Sequence, residues 1–108
     1  MTASEFDRLV EDAMDVIPPR FRARIRNVVF VVEQEPREPG LLGLYEGRPL
    51  TERGWTSDFR MPDKITIYQG PHMRLARSYD DLKRLVRETI WHEVAHYFCM
   101  GERQVRSA

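Results

Sequence analysis

The sequence predicts a single α+β domain. Three observations carry that: an amphipathic helical pattern near each end of the chain, three runs of strand character between them, and a length of 108 residues, enough for one hydrophobic core and short for two. The domain is read as residues 1–108.

The first helix starts near Ser4 and Asp7. Phe6, Leu9, Val10, Ala13, Met14 and Ile17 recur at helical spacing until Pro18 and Pro19 end it. "RFRARIR" then alternates Arg20, Arg22, Arg24 and Arg26 with Phe21, Ala23 and Ile25, a pattern that suits a half-buried strand or one irregular helical turn equally. Val28 to Val32 in "NVVFVVEQEP" is a continuous β-branched run, so it is expected as a central strand covered on both faces. Leu41 to Glu46 forms a second strand, and the proline-punctuated stretch after it is connection. Lys64 to Tyr68 alternates Ile65 and Ile67 with Thr66 and Tyr68, which predicts a strand with one exposed face, closed by Gly70 and Pro71. The last helix is capped by Ser78 or Asp80 and runs through Leu82, Leu85, Val86, Ile90, Val94 and Phe98 to about Met100.

Composition narrows the function classes. Lysine plus arginine equals aspartate plus glutamate at 17 each, so overall charge gives no drive toward nucleic acid, membranes or acidic partners. No apolar run approaches the roughly 18 residues needed to span a bilayer, and the acidic, amphipathic start differs from a secretory signal. A lone cysteine, Cys99, agrees with a reducing compartment, and a cytoplasmic location is expected.

The chemistry concentrates in "IWHEVAHYFCMGER", residues 90–103. Projected at about 100° per residue, Leu82, Val86, Ile90, Val94 and Tyr97 make an apolar stripe, while Trp91 turns toward the solvated side. His92 and His96 fall together at one edge of the stripe, about 40° and about 6 Å apart, so two imidazoles on consecutive turns can converge on one ion. Glu93 projects into the apolar arc, where a carboxylate is expensive unless a metal, a hydrogen bond or a cation compensates it. With three histidines and ten glutamates in the chain, HExxH arises by chance about one time in a hundred.

Zinc suits this spacing. It prefers tetrahedral coordination by neutral imidazoles, and a catalytic site leaves one position to water. His92 and His96 are expected as ligands; Glu93, rotated away by one residue's turn, is expected as the general base that takes a proton from that water. A third ligand has four candidates: Glu102, His72, Asp80 and Cys99. Glu102 is the choice, because it stands eleventh from His92, where the pattern HExxHxxGxxH places its last ligand. Glycine normally stands eighth to let the chain leave the helix; here Cys99 does, and Gly101 follows two residues later. Tyr45 and Tyr68 are candidates to stabilise a developing oxyanion, although strand packing explains them as well.

"HEVAHYF", preceded by "VVFVVEQEP", "LLGLYEGRPLTERG" and "DKITIYQGP", resembles the minimal zincin-like metallopeptidase family of small bacterial proteins, from about residue 16 to 104. The resemblance implies a zincin-like minimal fold, a small twisted sheet packed on the helix that carries HExxH. It implies zinc on His92 and His96, catalysis by Glu93, and an acidic third ligand at Glu102. The family usually has glycine at the place of Cys99. By analogy with larger zincins, Lys64 to Tyr68 is expected as the edge on which an extended peptide or protein substrate adds.

Two other metal-dependent families fit less well. The endoribonucleases with HGxxH end in a third histidine, against Glu93 and Glu102 here, and peptide deformylase needs an upstream cysteine that this chain lacks. The alternative from another class is a non-catalytic zinc-binding interaction module. Glu93 discriminates, since a closed structural site has no need of a carboxylate beside an open coordination position.

Overall fold

The computed structural model describes residues 1–47 and 62–98. Helix α1 (Ala3–Ala13) is opened by Thr2 in place of the expected Ser4. The Thr2 hydroxyl accepts from the Glu5 N–H and the Glu5 carboxylate accepts from the Thr2 N–H, a reciprocal cap that satisfies two otherwise orphaned donors. A 3-10 turn (Met14–Val16) ends α1 before Pro18. The arginine-rich stretch resolves as a short helix, α2 (Pro19–Arg22), whose Arg22 guanidinium donates to the carbonyls of Met14 and Ile17 and ties the turn down.

Among the described residues three strands follow: β1 (Val28–Glu33), β2 (Gly43–Glu46) and β3 (Asp63–Tyr68). Their spatial order is β1-β3-β2, with β1 parallel to β3 in the register Val28 to Asp63, and β2 antiparallel to β3 in the register Gly43 to Ile67. This corrects two expectations. Among the described residues the Val28 run is an edge strand with Val29 43% exposed, whereas Lys64 to Tyr68 lies in the centre with Ile65, Thr66, Ile67 and Tyr68 all buried. The physical reason is that a β-branched run reports strand propensity and says little about position in the sheet, while the polar residues of β3 find cover or partners inside. Asp63 is buried and accepts a hydrogen bond from the Tyr45 hydroxyl at 2.5 Å.

The expected turn at Gly70 and Pro71 is a helix, α3 (Gln69–Leu75). Pro71 is accommodated because a first-turn residue has no intrahelical bond for its missing N–H to make. Helix α4 (Tyr79–Tyr97) is capped by Ser78, whose hydroxyl accepts from the Asp81 N–H at 3.1 Å. Its buried stripe of Leu82, Val86, Ile90 and Val94 meets Phe6, Leu9, Val10 and Ile17 on one side and Ile65 and Ile67 of β3 on the other. Trp91 also packs inward, against Phe21, because the segment around α2 wraps further round α4 than the stripe alone requires. The last turn of α4 is anchored by Tyr97, whose hydroxyl accepts from the Arg26 N–H at 3.1 Å just before β1. Among the described residues, no helix is long and apolar enough to cross a membrane.

Candidate metal centre

The last two turns of α4 bring His92, Glu93 and His96 together. One potential ligand atom from each lies within 4.8 Å of the others, and the two imidazole rings are 4.6 Å apart between centroids. The helical repeat alone sets this proximity, because residues four apart share a face. His92 is half-buried, Glu93 buried and His96 exposed, so the cluster opens from the core toward solvent.

Glu93 is the electrostatic centre of the group. Burial pushes its carboxyl above the usual carboxylate range, while the charge of His92 and a hydrogen bond from the Tyr45 backbone N–H pull the other way. One Glu93 oxygen stands 3.3 Å from His96 Nδ1. Strand β2 therefore contributes to the site through its backbone. The Tyr45 hydroxyl is turned to Asp63, which corrects the expectation that this hydroxyl serves an oxyanion. Tyr68 belongs to the face of β3 opposite Ile67 and lies beside Glu33, Glu46 and Lys64; burial first, then the charges of Glu33 and Glu46 and, more weakly, that of Glu93 push its hydroxyl pKa up.

The other ligand candidates fare differently. His72 is fully buried in α3, with Nδ1 2.7 Å from the Tyr68 carbonyl and Nε2 2.9 Å from the Thr89 hydroxyl, so both its nitrogens are engaged away from the cluster. Asp80 sits in the first turn of α4, near the opposite end of the helix from His96. Glu102 and Cys99 lie outside the described residues.

Sequence reasoning missed Gly43, Thr89 and the loop before β2. A cleft of about 350 Å³ beside His92 and Glu93 is lined by Leu41, Leu42, Gly43, Leu85 and Thr89. A Cβ on Gly43 would lie 2.7 Å from the Thr89 methyl and 3.1 Å from Glu93 Cγ, so β2 approaches α4 this closely only because residue 43 lacks a side chain. The signal available was a glycine inside a strand pattern, which marks close backbone approach.

Two imidazoles on one helical edge with a buried carboxylate between them form a donor set that can hold a divalent metal ion. Comparison with known proteins bears on this arrangement. The zincin-like metallopeptidase family matches residues 25–108. A solved structure of a conserved hypothetical protein from Thermus thermophilus is similar at 28% identity with a TM-score of 0.59, over 99% of this chain and 100% of that one. No curated protein matches the chain.

Proposed function

Because the chain belongs to the zincin-like metallopeptidase family, we propose that it is a zinc-dependent peptidase in which His92, His96 and Glu102 hold the metal and Glu93 is the general base. Zinc, when bound, lowers the pKa of water and polarises a carbonyl oxygen. The two imidazoles would hold it as neutral ligands at the open end of the cluster. The Glu93 carboxylate takes a proton from the attacking water and delivers it to the departing amine nitrogen, leaving one new carboxylate and one new amine. The Tyr45 N–H fixes the carboxylate while it is charged. The protein substrate or peptide would lie along β2, the strand on the cluster's side of the sheet, and not along β3, which is internal.

The observation that carries this reading is Glu93 itself. It is 6% exposed, it has a pKa raised by burial, and it stands beside two histidines at the end of a cleft. A buried carboxylate held beside two histidines is placed to accept a proton and return it, as general-base catalysis requires.

Elemental analysis of the purified protein and a peptide-cleavage screen test the proposal. About one zinc per chain is expected, with turnover in the wild type and a loss of about a hundredfold or more in Glu93→Gln at unchanged zinc content. Zinc bound without turnover in either protein would favour the non-catalytic interaction module. Absence of metal after zinc addition would overturn both.

A further inference from the structure

The outer face of the sheet, turned away from α4, carries a second cavity, of about 570 Å³. Along β3, Ile65 and Ile67 enter the core, so Lys64, Thr66 and Tyr68 belong to this outer face. The register sets Tyr68 beside Glu33 of β1 and Lys64 beside Glu46 of β2. Strand pairing therefore brings two carboxylates from different strands to one cavity. Tyr68 is 5% exposed and lines the same cavity, and its hydroxyl has no hydrogen-bond partner among the described residues. Thr66, next to it on this face, is fully buried and its hydroxyl lacks a partner as well. A buried phenol normally finds a partner, so one left open to a cavity marks a place for a ligand atom.

The surrounding charges select the ligand. Burial raises the pKa of Tyr68, the charges of Glu33 and Glu46 raise it further, and that of Arg37 opposes them more weakly, so the potential at a neutral phenol oxygen is negative. Glu35 also lines the cavity, but Arg74 occupies it through two bonds of 2.9 Å. Glu33 and Glu46 have no such partner among the described residues. A metal ion does not suit this face, because among the described residues only His92, Glu93 and His96 bring ligand atoms close enough to enclose one. An organic cation does, since its donors are spread over several bonds. A guanidinium fits best, with five N–H donors in one plane and weaker hydration than an ammonium. Leu41 and Leu44 in the lining offer apolar surface to its stem. We infer that this cavity binds an alkylguanidinium group, the chemistry of an arginine side chain, with Tyr68 accepting a hydrogen bond and Glu33 and Glu46 compensating the charge. The inference does not depend on the metal centre, which α4 carries on the other face of the sheet.

Two-dimensional amide NMR on the purified full chain tests this. Butylguanidinium is expected to bind with a Kd of about 1 mM and to shift the amides of β1 and β3 around Glu33 and Tyr68. Butylammonium is expected to bind about threefold or more weaker, and neutral pentanamide not measurably. Glu33→Gln, Glu46→Gln and Tyr68→Phe are each expected to weaken butylguanidinium binding about threefold or more. Asp80→Asn, which removes an exposed carboxylate on α4, is expected to leave it unchanged. Two further probes identify the source of the group. Binding of N-acetylarginine amide at least as tight as that of agmatine identifies a polypeptide and weaker binding a free small cation, and either supports the site. An affinity for butylguanidinium unchanged in all three cavity variants would overturn the inference and show adventitious surface pairing only. Pentanamide binding as tight as butylguanidinium, or no shift with any cation up to about 20 mM, would overturn it too.

Discussion

At the scale of single residues, Glu93 sets stability against chemistry. Its pKa is raised by burial, so in the metal-free protein the folded chain holds that proton more tightly than the unfolded chain does. The stability this contributes is complete below the ordinary carboxylate range and is lost as pH rises through the raised value, so at neutral pH the buried charge is a liability. Glu93→Gln is therefore expected to stabilise the metal-free protein at pH 7, on the order of 1 kcal/mol, with the difference closing in acid. Urea unfolding at several pH values checks this, and a constant difference across pH would contradict it. His72 has the opposite sign. Burial lowers its pKa, so the neutral ring belongs to the folded state, and its contribution is present above the ordinary histidine range and lost as pH falls below about 6.5. The acid limb of the stability profile is expected to be shallower in His72→Asn than in the wild type; identical slopes would show that another group carries it.

At the scale of elements, the contact of β2 with α4 is the one that shapes the site. Gly43 lies against the Thr89 methyl and Glu93 Cγ, and neither of those can retreat, the first because His72 holds Thr89 and the second because it is packed under β2. Gly43→Ala is expected to cost about 1–3 kcal/mol through overpacking, seen as a lower urea midpoint with an unchanged slope. A neutral substitution would mean that β2 shifts freely. The sequence made the existence of these elements legible and left their arrangement hidden. All three strands lie within a residue or two of where alternation places them, because side-chain periodicity is local. Which strand is central depends on partners far along the chain, and there the β-branched Val28 run misleads while Asp63 and Thr66 conceal a buried strand. Helix α3 was hidden for a related reason: Gly70 and Pro71 read as a turn, yet Gly70 is required where a Cβ would meet the Gln34 carbonyl at 2.8 Å.

At the scale of the whole molecule, the candidate site was legible to the extent that one helix builds it. His92, Glu93 and His96 need only the helical repeat to meet, whereas Thr89, Gly43 and the cleft depend on how α3 and β2 pack on α4, which no spacing reveals. The same placement makes metal binding a global property. The cluster sits on the last turns of the helix whose other face holds α1, the sheet and the anchor from Tyr97 to Arg26. An ion bound by the folded chain and not by the unfolded one adds about 2.7 kcal/mol at a hundredfold excess over its Kd, and each kcal/mol shifts the melting temperature of a domain of about this size by roughly 4–8 °C. Zinc-saturated protein is accordingly expected to melt at least about 10 °C above the chelator-treated protein. His96 is exposed, so His96→Ala is expected to leave the chelator-treated melting temperature within about 2–4 °C of the wild type and to abolish most of the zinc-dependent rise. Differential scanning calorimetry with and without zinc measures both, and a zinc-dependent rise that survives in His96→Ala would place the ion elsewhere in the chain.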